Sequence, residues 1–271
     1  MPRPYTLAPM SSTLVTFVFA ATLLAALLTQ FWLATRQMRH VAAHREQVPP
    51  VFAATVSPAA HRKAADYTLA KGRLGLLQAA VGAAVLVGWT LLGGLDALNA
   101  ALFHAVWPAF GDLAYQLALI VAFALIAGLI DLPFEWFATF RIEQRFGFNR
   151  MTLRLWLADL VKGVAVGAVI GLPLAALVLW LMGAAGPWWW LWAWGAWMGF
   201  NLLLLVIYPT LIAPIFNRFK PLEDATLTAR VTALMRRCGF AAKGLFVMDG
   251  SRRSAHGNAY FTGLGRSKRI V

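Results

Sequence analysis

The chain offers few residues whose types and spacing could do chemistry. "HVAAH" at 40–44 sets His40 and His44 four residues apart, so one helix face would present both imidazoles. That spacing holds a metal ion when a glutamate follows the first histidine and acts as general base. Val41 takes that place here and no third ligand is apparent, so two polar residues on a helix surface account for the pattern. Asp131 and Glu135, in "DLPFEWFATFRIEQRFGFNR", share a face at one end of an apolar run. Carboxylates at a membrane boundary can relay protons or hold a substrate. With Arg141, Glu143 and Arg145 close by, a structural ion-pair network is the expectation. His256, in "SAHGNAYF", lacks neighbours suited to a metal set. A glycine-rich phosphate loop, a G-x-S-x-G elbow and a Cys–His nucleophile pair are all missing. The one cysteine, Cys238, rules out an intrachain disulfide.

The elements that must position these residues are mostly built for lipid. Hydrophobic residues make up 60% of the 271 and charged ones only 13%, where a soluble domain has about 25% charged. The mean hydropathy of +0.67 agrees. About 20 apolar residues in a helix span the hydrocarbon core, and five such runs are present, predicting helices near 12–34, 74–95, 113–132, 160–182 and 188–208. "PWWWLWAWGAW" (187–197) opens the fifth and reads as an interfacial aromatic belt. The fold class expected is a multi-spanning α-helical membrane protein, with the lipid bilayer as its first partner.

The net charge of +13 raises the question of nucleic acid. Its distribution answers it. Arg36, Arg39, Arg45, Arg62, Lys63, Lys71 and Arg73 lie in the first loop, and the 96–112 loop has no Lys or Arg. Arg141, Arg145, Arg150, Arg154 and Lys162 lie around the third loop, and the 183–187 turn again has none. Positive loops stay in the cytoplasm, which predicts an outside N-terminus and a cytoplasmic C-terminal segment. The charge is a topology signal, no recognition motif accompanies it, and no nucleic-acid partner is expected. Abundant Arg and Ala suggest a bacterial inner membrane.

After Tyr208 the character changes. "PLEDATLTARVTALMRRCGF" (221–240) predicts an amphipathic helix, with Leu227, Val231, Leu234, Met235 and Cys238 on one face and Gly239 as a stop. "LFVMD", "NAYFTGL" and "RIV" read as strands, joined by the polar "GSRRSAHG" and by a turn at "GRSK". One helix and a short meander are the start of an α+β domain, too small to bury a core alone.

Three stretches carry a family likeness. "LPFEWFATFRIEQRFGFNRMT" (132–152), "YPTLIAPIFNRFKPLED" (208–224) and "DGSRRSAHGNAYFTGLGRSKRIV" (249–271) together resemble the type I CAAX prenyl proteases, which are integral-membrane zinc metallopeptidases. The resemblance implies seven membrane helices around a chamber and a zinc-protease domain on the cytoplasmic side. It divides this chain into a membrane region with five transmembrane helices, 1–209, and an incomplete N-terminal part of the cytoplasmic peptidase domain, 210–271. The family's H-E-x-x-H motif and its third zinc ligand lie downstream of a stretch like "KRIV", and no H-E-x-x-H occurs in these 271 residues. The expectation is therefore a fragment that binds no zinc by itself and is inactive alone. The complete protein would use zinc to hydrolyse peptide bonds in membrane-associated or prenylated peptides. In such peptidases an edge strand pairs with the substrate backbone, and "NAYF" sits where the family places it. Asn258, Ala259 and Tyr260 are thus the substrate-contact candidates. The alternative reading is a non-catalytic membrane scaffold or binding protein.

Overall fold

The computed structural model describes residues 12–263 and 268–271. Five helical stretches are long and apolar enough to cross a membrane. They contain α1 (Ser12–Ala43), α2 (Pro58–Thr90), α3 (Gly94–Phe137), α4 (Leu153–Ala184) and α5 (Trp189–Ile207). All run longer than predicted, except α5. The largest departure is α3. The 96–112 segment, read as a loop, is helical because "DALNAALFHAVW" is rich in helix formers. The break falls instead at Gly111, whose φ of 76° is left-handed and suits glycine.

Among the described residues few apolar side chains are buried: Ala65, Ile142, Phe146, Pro209, Ile212 and Ala213. Trp190, Trp192, Trp194 and Trp197 of α5 are exposed. Helices that are apolar all round and bury so little against protein require an apolar solvent. The chain is an integral membrane protein.

Packing divides the chain into two units. One holds α1, α2, the start of α3 through His104, and residues 125–146. Ser57 caps α2 by accepting from the Ala60 N–H at 3.2 Å, with Pro58 in the first turn, where its missing N–H costs nothing. α1 and α2 pack closely. A Cβ on Gly72 would lie 2.8 Å from the Met38 sulfur, so a larger residue there would push the Met38 side chain aside. Past α3 the helix widens into a π turn, Ala138–Glu143.

The other unit holds residues 105–124 and 147–271. Thr152 caps α4 through the Leu155 N–H, and α4 packs on α5. A second π turn, Tyr208–Ile212, leads to the short α6 (Ala213–Phe216). Then comes β1 (Phe219–Pro221), which the sequence reading missed. α7 (Ala225–Arg237) follows, capped by Asp224 accepting from the Leu227 N–H at 2.9 Å. It ends as predicted at Gly239, φ 61°. The Gly239 N–H donates to the Arg236 carbonyl and the Phe240 N–H to that of Met235, the Schellman pattern.

β2 (Phe246–Met248) pairs antiparallel with β1, and β3 (Phe261–Thr262) with β4 (Arg269–Ile270). The two ribbons are separate two-stranded sheets, and an isolated parallel bridge links Leu245, just before β2, to Ile270 of β4. The predicted strands at 245–249 and 269–271 are present in shortened form. The one at 258–264 is reduced to Phe261–Thr262, so Asn258 and Ala259 lead into the strand rather than lie in it. The turn placed at "GRSK" falls mostly outside the described residues.

Candidate functional site

The three motif stretches meet around one residue, Arg253. Its Nε donates to Asp159 Oδ2 at 2.8 Å and its Nη2 to Asp159 Oδ1 at 3.0 Å. Nη1 donates to Asn217 Oδ1 at 2.8 Å, and Nη2 also to the Phe216 carbonyl at 2.7 Å. The fork geometry of guanidinium suits this bidentate grip on a carboxylate. The Arg253 and Asp159 side chains keep only 20% and 16% of their exposure. The backbone adds to it. The Arg150 N–H donates to the Arg253 carbonyl, the Ala255 N–H to that of Phe148, and Asn149 bridges Ser254. His256 stacks on Phe148 with centroids 4.2 Å apart. So "FGFNR", "IFNR" and "DGSRRSAHG" form one junction, which holds the chain leading into 258–261. The sequence reading took "GSRRSAHG" for a polar connector. A signal was available: Asp159 is the sole acid between Glu143 and Glu223, and it opens an apolar span, where a carboxylate needs a cation.

Asp249 steadies the same segment. It exchanges backbone and side chain with Arg218: its N–H donates to the Arg218 carbonyl at 3.1 Å, and its Oδ1 accepts from the Arg218 N–H at 2.7 Å. Partial burial would raise its carboxyl. The Arg218 N–H, the Arg252 guanidinium and the charge of Arg253 outweigh that and hold it below the usual carboxylate range.

Beyond the junction, Tyr260 exchanges both backbone bonds with Val271, each 2.9 Å. In an antiparallel pair the next residues on either side turn their N–H and C=O the other way. Ala259 and Phe261 therefore aim theirs away from β4, and among the described residues nothing pairs with that edge. The Ala259 N–H donates to Asn258 Oδ1, at 2.9 Å. The Tyr260 ring lies back over the sheet, its hydroxyl donating to the Met248 sulfur at 3.7 Å. Burial, helped by Tyr208 and opposed by Arg269, raises that phenol above its ordinary value. An apolar groove of about 500 Å³ borders the edge, lined by Val231, Leu234, Met235, Phe240, Phe261 and Ile270 among others.

The other candidates form no part of this edge. The His40 and His44 rings lie 4.3 Å apart. His44 Nδ1 is bonded to the His40 carbonyl and His61 Nε2 to the His44 carbonyl. One nitrogen of the candidate pair, His44 Nδ1, is thus turned to the backbone. Among the described residues no three His, Cys, Asp or Glu side chains gather as a metal set. The zinc implied by the resemblance does not fit the donors present. The ion-pair network expected at Asp131 and Glu135 is not there. Both are exposed and in no ion pair among the described residues. The paired carboxylate is Glu143, which accepts from the Tyr67 hydroxyl and lies 3.6 Å from Lys71. Glu143 lies on the face packed against α2, which Asp131 and Glu135 do not share.

Five helical stretches long and apolar enough to span a bilayer, followed by an amphipathic helix and two short β-ribbons, define a polytopic membrane protein with an α+β segment. The family model described as CAAX prenyl protease N-terminal, five membrane helices, matches residues 37–218. The CAAX prenyl protease 1 homolog of Oryza sativa subsp. japonica is 31% identical over 245 residues, 86% of this chain and 56% of that one. CAAX prenyl protease 1 of Saccharomyces cerevisiae is 32% identical over 83% of this chain and 51% of its own. The crystal structure of S. mikatae Ste24p superposes with a TM-score of 0.85 at 28% identity, over 94% of this chain and 60% of that one. The chain belongs to the CAAX prenyl protease family. It spans about half the length of these curated relatives.

Proposed function

We propose that this chain supplies the membrane region and the substrate-docking edge of a zinc metalloendopeptidase of CAAX type. A membrane-associated or prenylated peptide would add as a strand along 258–261. The observation that carries this reading is the Tyr260–Val271 pairing, which leaves the backbone groups of Ala259 and Phe261 aimed at the open edge. Strand addition uses such an edge, each backbone bond contributing roughly 0.5–1.5 kcal/mol net. Small Ala259 lets the peptide approach. Asn258 shapes the entry through its contact with the Ala259 N–H, and Tyr260 anchors the strand from behind. Residues 210–271 belong, on this reading, to the peptidase domain. When bound, zinc would supply the activated water for hydrolysis. Its ligands are not among the residues present, and this chain's own part is to bind and orient.

Binding of a fluorescent farnesylated peptide ending in a Cys-aliphatic-aliphatic-X sequence, to the 271-residue protein in nanodiscs, tests the edge. Ala259→Pro removes an outward N–H and fixes φ, so affinity should fall about tenfold. Asn258→Ala should cost only about two- to fivefold, roughly one side-chain hydrogen bond. Metal analysis of the same dialysed samples should find far less than one zinc per chain. Wild-type affinity in a folded Ala259→Pro protein would remove the edge from the mechanism.

The proposal also places 210–271 in the cytoplasm and the N-terminus outside, following the loop charges. A bacterial inner membrane rests on composition alone. Thiol-reactive labelling of Cys238, and of a cysteine introduced at Ala101 with Cys238 replaced, should come from opposite sides of sealed vesicles. Labelling from the same side would overturn the orientation.

A further inference from the structure

A second groove, of about 570 Å³, lies between α2 and the π turn that follows α3. Its floor is Ile142 and its flank Phe146, exposed by 6% and 7%. Leu74, Leu77 and Phe137 form apolar walls, and Arg73, Arg141 and Arg145 stand at its rim. Arg141 and Arg145 are four residues apart on one helical face. The π turn at Ala138–Glu143 shapes that face, and such turns concentrate at functional sites.

Among the described residues none of the three guanidiniums is in an ion pair. Two of them lie over ring faces: Arg141 5.8 Å from Trp136, and Arg145 5.6 Å from Phe146. The nearest acids are already used. Glu143 holds Lys71 and Tyr67, and Asp66, which borders the adjoining hollow beside Arg73 and Arg145, holds Arg45 at 3.1 Å. Three like charges around one groove repel one another until an anion joins them. The groove also sits where the chain changes solvent. Leu74 and Leu77 begin the second predicted span, Arg73 precedes it, and Phe137 to Phe146 follow the third.

We propose that this groove holds one anionic phospholipid, its phosphate gripped by Arg73, Arg141 and Arg145 and its acyl chains lying along Leu74, Leu77 and Phe137. Guanidinium forks suit phosphate oxygens, and basic pockets between helices at a membrane surface select acidic head groups. The apolar walls argue for a lipid over free phosphate, since an inorganic ion would leave them unsatisfied. The selection is by charge, so zwitterionic lipid fits the walls but not the rim.

Native mass spectrometry of the detergent-purified 271-residue protein, titrated with phosphatidylglycerol or phosphatidylcholine, tests the site. One phosphatidylglycerol should bind well ahead of phosphatidylcholine. Each arginine removed should weaken it about fivefold, so Arg141→Gln with Arg145→Gln should cost roughly 30-fold. Phosphatidylcholine binding should not change. Arg36→Gln with Arg39→Gln, basic residues that do not line the groove, should leave the preference intact. Glycerophosphoglycerol, the same head group without chains, should not compete. Should the double variant fail to fold, Arg73→Gln alone must still weaken phosphatidylglycerol several-fold. Full preference in a folded groove variant overturns the proposal. So does an equal loss on changing Arg36 and Arg39, which would mark a diffuse basic face. Competition by the chain-free head group would mean a phosphate pocket and not a lipid site, and competition by a carboxylate-ended CAAX peptide would assign the groove to substrate.

Discussion

Two arginine sites in this protein use the same guanidinium differently. Arg253 meets a carboxylate, an amide and a backbone carbonyl, all supplied by the fold, and keeps a fifth of its side-chain exposure. Arg73, Arg141 and Arg145 share a groove with ring faces and apolar walls, and among the described residues no carboxylate pairs with them. Desolvating a guanidinium costs several kcal/mol unless acceptors replace the water. In the first site that replacement is internal, and the arginine is part of the architecture. In the second the three guanidiniums stay exposed, with no internal acid to hold them, and on the proposal above they are a receptor for an anion from outside. The comparison shows where to look for ligands in a strongly basic membrane protein: among the cations whose acids are already taken.

The largest effect separates these two roles directly. Arg253→Ala would leave Asp159 half-buried without its cation, and breaking such a pair costs about 3 kcal/mol or more. It should also free the 249–261 segment, which the junction ties to Phe148 and Asn217. Denaturant unfolding in detergent, with limited proteolysis between residues 249 and 263, reads both effects. Arg253→Lys should rescue little, because an ammonium cannot make the two-pronged contact. Arg141→Gln, by contrast, should lie within about 0.5 kcal/mol of wild type in lipid-free detergent, since it removes repulsion and no internal bond. If the two variants destabilise equally, the division between architectural and receptor arginines is wrong.

Much of this was legible in the sequence, for particular reasons. The five spans could be read because apolar length is set by bilayer thickness and needs no knowledge of packing. α7 could be read because Asp224, the Leu227–Val231–Leu234 stripe and Gly239 agree on one element. The junction was not legible. Arg253, Asn217 and Asp159 lie 36 and 94 residues apart in hydrogen-bonded pairs, and no local period links them. The polar stretch around Arg253 looks like a turn until Asp159 is placed beside it. α3 was misread for another reason: its Lys- and Arg-free 96–112 stretch signals a side of the membrane, which says nothing about whether the backbone there is coiled. Asp131 and Glu135 misled because acids near arginines in sequence need not face them. The strand edge at 258–261 was half legible. "NAYF" was placed, but the backbone direction of Ala259 follows only from Tyr260 pairing with Val271.

The smallest effect sharpens the comparison within the architectural site itself. Asp249 holds Arg218 through the backbone and Arg252 through a 3.3 Å contact. Its carboxyl is held below the usual range when folded, so the folded state binds its proton less readily than the unfolded chain. The sign follows from linkage. The contribution is complete above the ordinary carboxylate pKa, about 4, and is lost as pH falls through the lower folded value. Asp249→Asn keeps an oxygen for the Arg218 N–H and loses only the charge, so its cost near neutral pH should be about 1 kcal/mol or less. The variant and the wild type should therefore converge in stability as the pH is lowered below about 4. Proteolytic cleavage within 249–263, followed across that range, is the measurement. A gap that persists unchanged to the most acidic point would mean that Asp249 acts through shape and hydrogen bonding alone, and that among these charges Arg253 by itself holds the segment.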